Sequence, residues 1–420
     1  MSLRKKLVSI VLFALLVVPS VAFAEGFGVY EWSAGGVAMS ENYMFAEEDP
    51  AVLAYNPAGI TRLKGSYFSI GATLVDAHTK NKFNNHPGME WDNSFSPAGI
   101  PTAYYTNQIS EKSWVGLAIF PRFGNQIKYD ENWPGKFDTV FSGVQGLTIQ
   151  PTYAWKANDK LSVALGLDIC YMGLEMTKYL PTSLISHGAM PDTRLKLEGD
   201  SIKVGGVLAL QYDFTEDTSA ALVYRPQIKH KMDADVYGGS LATALGITQG
   251  HGEVTLPDSI SFGLGHKFNE GRTRVEFDAV WTNWRTYDSL DVTFNKPVLG
   301  MQTVPNPKHW SESWRLGVGI EHKLNKKWSV LGGYVYDESP VADEYMDFTV
   351  PTGDRHRFSI GCKFRPRDNR EWAFGYSAII AGDRNVYSHL PGGLNGADFQ
   401  KAEVYDGLTH IFSISYTMKF

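Results

Sequence analysis

The sequence predicts an all-β protein, a 14-stranded antiparallel transmembrane β-barrel with an N-terminal hatch (plug) inside the lumen. Three observations carry this prediction. The chain starts like a secreted protein, its strands are joined by alternately short and long connections, and it ends on an amphipathic strand whose last residue is Phe420. Together these features are typical of a barrel that crosses an outer membrane with strands that each have one apolar face.

Residues 1–24 have the features of a signal peptide. The basic residues Arg4–Lys6 precede an apolar run over 7–18, and Ala22–Ala24 is a small-x-small cleavage site. The apolar run is too short to cross about 30 Å of hydrocarbon as a helix. We therefore expect the mature chain to begin near Glu25, and any membrane crossing to be made by strands.

The composition fits a barrel and argues against a nucleic-acid partner. The chain has 41 Gly, 23 Phe, 21 Tyr and 11 Trp, and a net charge of -6 without a basic patch. Cys170 and Cys362 are expected on separate strands and opposite faces, so we expect no disulfide. Since no linker or repeat divides the chain, we predict a hatch over 25–65 and one barrel over 66–420.

Alternating apolar and polar residues mark the strands, most clearly at the C-terminus. There one face has Leu408, Phe412, Ile414, Tyr416, Met418 and Phe420, whereas the other is mostly Ser and Thr. Counting back from this strand, the connections alternate between six short turns and seven long loops, which defines the fourteen strands. The short turns cover 107–112, 156–160, 213–218, 268–272, 323–327 and 365–370; the long loops cover 79–97, 123–142, 179–192, 237–252, 288–313, 338–353 and 382–405. A soluble sandwich or lipocalin explains the alternation but not this rhythm.

The segment before the first strand, from Glu25 to 65, has no strand pattern. Because wall side chains would not fill a fourteen-strand lumen, an unplugged barrel of this size would leak solutes. The segment also contains large apolar residues such as Trp32, Tyr43 and Leu53, which are unusual for a disordered tail. These properties favour a segment folded into the lumen.

Several short motifs follow one another along the mature chain. They are Ser33–Gly36, Asp49–Pro50, Asn56–Gly59, Pro121–Gly124, Tyr129–Gly135, Leu256–Ser259, Tyr336–Val341 and Asp354–Arg357. In this order they resemble the FadL family of outer-membrane transporters for long-chain fatty acids and hydrocarbons, which includes TodX. The resemblance covers essentially the whole mature chain and rests on the order of the motifs.

The resemblance implies how such a protein works. The hatch would carry the Asn56, Pro57 and Ala58 motif, and apolar ligands would enter through a groove between two outer loops. They would then pass into the barrel and leave sideways at a kinked third strand. The predicted groove residues are Leu180, Leu184, Ile185, Leu241, Leu245 and Ile247; mutual packing of these loops is the alternative.

The third strand would cover roughly 112–123 and contains Pro121, followed by Phe123 and Gly124. Proline removes a ladder hydrogen bond, so it is tolerated at a strand end, where it means little, or at a break, where it opens the wall. The residues alone leave both possibilities, and the resemblance favours a lateral opening.

A fatty acid would need a partner for its carboxylate, and the inward-facing Lys203, Arg315 and Arg357 are candidates. Charge balance with wall carboxylates is their alternative role. Glu47–Asp49 make the hatch acidic, so a neutral hydrocarbon ligand stays open.

Other functions fit less well. A porin for small polar solutes would have polar loops, and an outer-membrane lipase would need a catalytic motif such as Gly-x-Ser-x-Gly, which is not found. A TonB-dependent receptor would need a much longer plug. We expect no enzymatic activity, no cofactor and no metal. The expected partners are the apolar ligand, outer-membrane lipid and lipopolysaccharide and the barrel assembly machinery, and we expect a monomer.

Overall fold

A computed structural model describes residues 26–93, 97–298, 300–351, 353–387 and 401–420. The predicted signal peptide and Glu25 lie outside these residues. Within them, no helix is both long and apolar enough to cross a membrane. Four α-helices are described: α1 (Ala34–Ala38), α2 (Val52–Tyr55), α3 (Thr182–Ile185) and α4 (Gly239–Leu245). Three 3-10 turns cover Pro57–Arg62, Trp284–Thr286 and Asp343–Tyr345.

The rest of the regular structure consists of strand segments that form one sheet. In chain order they are β1 (Ser66–Phe83), β2 (Trp91–Asp92), β3 (Ala98–Ser110), β4 (Ser113–Phe120), β5 (Gly124–Lys128), β6 (Phe141–Lys156), β7 (Leu161–Leu180), β8 (Thr193–Asp213), β9 (Thr218–Arg225), β10 (Ile228–Tyr237), β11 (Gln249–Leu256), β12 (Ser259–Phe268), β13 (Thr273–Thr282), β14 (Val292–Val298), β15 (Met301–Val304), β16 (Ser313–Lys323), β17 (Trp328–Asp337), β18 (Arg355–Arg367), β19 (Arg370–Ala381), β20 (Arg384–Tyr387) and β21 (Lys401–Lys419).

The sheet closes into the predicted barrel. Neighbouring strands are antiparallel, and β21 pairs with β1 from Tyr67 opposite Lys419 to Phe83 opposite Ala402. Three wall strands consist of two segments each, namely β4 with β5, β9 with β10 and β11 with β12, whereas β2, β14, β15 and β20 lie in outer connections. The wall therefore has fourteen strands, and the prediction of the fold class is confirmed.

Each wall strand has an exposed apolar face and a buried polar face, as the terminal strand illustrates. Phe412 and Ile414 are exposed on the outside, whereas Ser413 and Ser415 are buried. Since side chains of a strand alternate between its two sides, the apolar face lies toward lipid and the small polar face toward the lumen.

Residues 26–64 are almost entirely buried against the inward faces of the wall strands. Inward glycines leave the room that this segment occupies. A Cβ atom at Gly333 would lie 2.2 Å from the carbonyl carbon of Met39, and one at Gly375 would lie 2.5 Å from the carbonyl oxygen of Ala34. Because real Cβ atoms do not approach backbone this closely, the lumen is shaped to this segment.

Candidate functional site

The third wall strand is interrupted at residues 121–123. β4 pairs with β6 up to Phe120 opposite Thr148, and the pairing resumes with Gly124 of β5 opposite Gln145. The third strand thus has one residue more than β6 over this stretch, as in a β-bulge. Pro121 therefore lies at a break in a continuing strand and not at its end.

The break separates the third strand from its other neighbour. β3 pairs with β4 only from Ala103 opposite Ile119 onward, so Ala98–Thr102 have no partner on that side among the described residues. The backbone of Phe123 instead lies over Gly146 of β6, where a Cβ atom would be 2.1 Å from the Phe123 carbonyl oxygen. The chain at the break is thus displaced toward the lumen.

The N-terminal segment reaches this displaced backbone. Gly28 forms an isolated antiparallel bridge with Phe123. The Val29 amide donates to the Arg122 carbonyl at 2.9 Å, and the Gly124 amide donates to the Phe27 carbonyl at 2.9 Å. These bonds satisfy backbone groups that the break would otherwise leave unpaired.

A cavity of about 660 Å³ lies in the lumen next to the break. Arg122 and Phe123 of the break contribute to its lining, as does Gly28. The remaining lining residues are mainly aromatic or charged and include Tyr30, Trp32, Glu41, Tyr55, Arg225, Asp278, Trp284 and Arg315. The cavity therefore offers both an apolar surface and several cations.

Two of these cations share one carboxylate. Arg122 and Arg225 each donate to the same Oδ2 atom of the buried Asp168 at 2.8 Å, and Arg225 also donates to the Ala54 carbonyl of α2 at 3.0 Å. This group carries a net positive charge inside the barrel. The sequence analysis missed all three residues, although Arg122 lies inside the Pro121–Gly124 motif.

The predicted carboxylate-binding residues differ in their availability. Arg315 lines the cavity and donates to the Ser40 carbonyl at 2.5 Å. Arg357 is already paired with Glu31 and Glu41, each at 2.7 Å. Lys203 lies elsewhere on β8, where it is exposed on the inward face. Of the three candidates, the structure brings only Arg315 to this cavity.

Glu41 joins the enclosed segment to the wall at the cavity. Its carboxylate accepts hydrogen bonds from Arg357 at 2.7 Å and from the Tyr55 hydroxyl at 2.5 Å. Burial raises the pKa of Glu41 to about 7, against the opposing effect of Arg357. Glu47, by contrast, is only half-buried. Although burial alone would raise its pKa, hydrogen bonds from Lys267 and Lys323 lower it to about 2.

The hatch motif caps the short 3-10 turn that follows it. The Asn56 side chain accepts from the Ala58 amide at 3.2 Å and donates to the Met44 carbonyl at 3.0 Å. Pro57 begins the 3-10 turn, where its missing N–H is no loss. The motif thus fixes the fold of the enclosed segment, and its residues do not line the lumen cavity.

The predicted groove residues are only partly brought together. Leu180 and Ile247 belong to one apolar cluster, whereas Leu184 and Leu245 are exposed. Ile185 and Leu241 lie in α3 and α4, and their side chains are outside the described part of the chain. A cleft of about 940 Å³ lies beside this cluster and includes Leu180 among its lining residues. The rest of its lining comes mainly from the β14–β15 hairpin and the outer ends of β7 and β8, including Met176, Leu195, Leu197, Val292, Phe294 and Val298.

A closed fourteen-strand barrel with an apolar outer face, an enclosed segment and a lumen cavity beside a break in its wall defines a transport barrel of the outer membrane. Residues 15–420 match the family profile described as "Outer membrane protein transport protein (OMPP1/FadL/TodX)". The chain belongs to this family, and it is therefore an outer-membrane transport protein of the FadL/TodX type.

Individual relatives are distant but cover most of the chain. The long-chain fatty acid transport protein of Escherichia coli O6:H1 is 22% identical over 386 residues, which is 84% of this chain and 86% of that one. A 47 kDa outer membrane protein of Pasteurella multocida is 26% identical over 397 residues, with 89% and 91% covered.

Solved structures show the same fold. The crystal structure of a Pseudomonas aeruginosa FadL homologue has a TM-score of 0.81 at 18% identity, with 94% of this chain and 100% of that chain covered. The toluene transporter TodX of P. putida has a TM-score of 0.67 at 18% identity, with 94% and 99% covered.

Proposed function

We propose that this protein carries long-chain fatty acids or hydrocarbons passively through the outer membrane. The observation that carries the proposal is the position of the lumen cavity, because Arg122 and Phe123 belong both to its lining and to the break in the third strand. A ligand in the cavity lies beside a stretch of wall where β3, among the described residues, has no ladder partner on the side of β4. The related fatty acid and toluene transporters support this ligand class.

The route begins at the outer cleft beside the β14–β15 hairpin. Its apolar lining suits an alkyl chain or an aromatic ring, and exposed apolar patches commonly mark ligand sites. From there the ligand enters the lumen cavity and leaves sideways past Pro121–Gly124 into the bilayer. Burial of apolar surface at each stage, about 0.8 kcal/mol per methylene, drives the movement together with the ligand's gradient.

The charges of the cavity favour a ligand with a carboxylate over a neutral hydrocarbon. Arg122 and Arg225 share one carboxylate oxygen of Asp168, so one positive charge is uncompensated within this group. Glu47, which raised doubt about such a ligand, is bound to Lys267 and Lys323 and does not line the cavity. Carboxylate recognition is therefore expected at Arg122 and Arg225, with Arg315 nearby.

Residues 25–65 are proposed to act as the hatch of this route. Their fit to inward glycines supports a plug that blocks polar solutes, and their bonds to Arg122 and Gly124 support a start of this segment beside the proposed exit. The family consists of transport proteins, and we propose that this chain likewise performs no catalysis. We also propose that it works as a monomer, surrounded by lipid and lipopolysaccharide, after insertion by the barrel assembly machinery.

Uptake and conductance together test the proposal. The full chain is expressed in cells that lack other routes for fatty acids, and uptake of radiolabelled oleate and toluene is measured. The purified protein is then placed in planar bilayers. We expect uptake of both compounds, stronger for oleate, and little conductance. Large unselective conductance without uptake of either compound would show a porin instead.

A further inference from the structure

A second interruption lies in the wall, between β8 and the seventh wall strand. β8 pairs with β9 down to Leu208 opposite Tyr224, and with β10 only from Asp200 opposite Asp233. Residues 201–207 of β8 therefore have no ladder partner on that side within the described ranges. This gap is longer than the one that the third strand leaves on β3.

The seventh strand explains the gap. It breaks after Arg225, where Pro226 removes an amide donor, and resumes at Ile228. The eighth strand breaks at the same level, between β11 and β12. Among the described residues, the seventh strand therefore has no ladder partner at its break on that side either. Open backbone edges are not stable in contact with lipid unless they line a cavity or are covered by protein.

A single side chain covers part of the gap from within. The Ile228 Cδ1 atom lies 2.6 Å from the position of a Cβ atom at Gly205, and Gly206 follows directly. On the outside, Ile202 and Val204 are both exposed toward lipid. The Ile228 side chain thus packs directly over Gly205 on the lumen side of the gap.

A lysine and a buried histidine face the lumen at the middle of the gap. The pairing on either side places Lys203 opposite residues 229–230, and its charge acts on the His230 ring. His230 is fully buried, yet neither ring nitrogen has a hydrogen-bond partner among the described residues. Lys203 is exposed and forms no ion pair within the same part of the chain. A buried imidazole normally has a hydrogen-bond partner, so the His230 ring is available to bind a polar group in the gap.

We propose that this gap is a second lateral passage for single-chain amphiphiles with an anionic head. Lys203 and His230 bind the head, and the alkyl chain passes Ile228 and Gly205 into the outer part of the bilayer. This inference rests on the proposed transport function but uses a different part of the wall from the break at Pro121.

Photo-crosslinking tests the passage in the full-length protein in phospholipid vesicles. Benzophenone-alanine replaces Val204 at the gap or, as a matched control, Val318 on β16, which is also exposed and is paired on both sides. Radiolabelled palmitate, hexadecanol and phosphatidylethanolamine are the probes. We expect palmitate to label position 204 more strongly than position 318, and hexadecanol to show a smaller difference.

The head-binding residues are tested in the same assay. Lys203→Gln is expected to weaken the palmitate labelling of position 204 about tenfold, as loss of one charged hydrogen bond does. Equal palmitate labelling at both positions, or no effect of Lys203→Gln, overturns the inference. Preferential labelling by phosphatidylethanolamine alone also overturns it, because the gap would then hold only membrane lipid.

A reversible staple separates this inference from the proposed function. Gly205→Cys with Ile228→Cys, in a chain in which Cys170 and Cys362 are replaced by Ala, should close the gap by a disulfide. We expect oleate uptake to fall in the oxidised protein and to recover on reduction, with each single variant as control. Unchanged uptake contradicts the second passage only, whereas absence of uptake in the unmodified protein contradicts the transport function itself.

Discussion

The guanidinium of Arg122 lies 2.8 Å from the carboxylate of Asp168, and this ion pair links the broken third strand to β7 across the intervening β6. Arg225, the last residue before the break in the seventh strand, binds the same oxygen. One buried carboxylate therefore holds the chain at two interruptions of the wall. We propose that the position of the exit depends on this carboxylate as well as on Pro121.

Replacement of Asp168 by Asn should destabilise the barrel strongly. Removal of one partner from a buried ion pair typically costs about 3–5 kcal/mol, because the remaining charge stays buried. Unfolding in urea, followed by Trp fluorescence, measures the change. Asp233→Asn is the matched control, since its partner His251 and the carboxylate are both exposed; its cost should stay below about 1 kcal/mol. Equal losses in the two variants would contradict the proposed role of Asp168.

Gly146 should be irreplaceable beneath the break. A methyl group there would lie 2.1 Å from the Phe123 carbonyl oxygen, so Gly146→Ala must move the backbone of the third strand. We expect a loss of about 1–3 kcal/mol, typical of overpacking, together with reduced oleate uptake. Gly332→Ala is the control, because its Cβ atom would be 3.7 Å from the nearest backbone oxygen. Normal uptake by Gly146→Ala would argue against a displaced third strand.

Much of this architecture could be predicted from the sequence. Strict alternation and the long-short rhythm predicted fourteen strands, because both follow from local strand and turn chemistry. Pro121 was identified as either a strand end or a break in the wall. These two possibilities differ only in whether the strand resumes beyond the proline. That depends on pairing with β6, which no local pattern determines.

The site was less predictable for a related reason. Asp168, Arg122 and Arg225 come from strands far apart in the chain, and their meeting depends on register across the barrel. The outer groove was predicted to be lined by apolar residues of two loops, yet two of these residues, Leu184 and Leu245, are exposed. The cleft depends instead on the β14–β15 hairpin, which lies within a connection that was predicted only as a long loop.

Glu41 should make stability depend on pH. Because burial raises its pKa from 4.5 to about 7, the folded state keeps the proton over a range in which the unfolded state releases it. Stability should therefore fall as the pH rises from about 4.5 to 7, by an amount on the order of 3 kcal/mol, and then stay constant. Urea unfolding over this range should show the slope in the original protein and a smaller slope in Glu41→Gln.

Glu47 provides the opposite case. Its pKa is lowered to about 2, so its contribution is lost as the pH falls from about 4.5 toward 2 and is unaffected at higher pH. Glu47→Gln should keep the slope between pH 4.5 and 7. A Glu41→Gln protein with that slope unchanged would show that another group is responsible.

The outer cleft should determine uptake at low ligand concentration. Val292→Asn places a polar amide in the cleft lining, so we expect a higher apparent KM for oleate and an unchanged maximal rate. Leu245→Asn is the control on α4, because Leu245 is exposed and does not line the cleft. A larger effect of Leu245→Asn would show that the ligand enters through the predicted groove between the outer loops and not through the cleft.

We propose that the ligand leaves where the N-terminal segment meets the break. A disulfide between Gly28→Cys and Phe123→Cys tests this exit. These residues form an antiparallel bridge flanked by hydrogen bonds of their neighbours, a pairing with Cα atoms about 4.5 Å apart that a disulfide can span. In a background without Cys170 and Cys362, with each single variant as control, we predict that oxidation sharply reduces oleate uptake and that reduction restores it. Full oleate uptake by the oxidised double variant would contradict this exit.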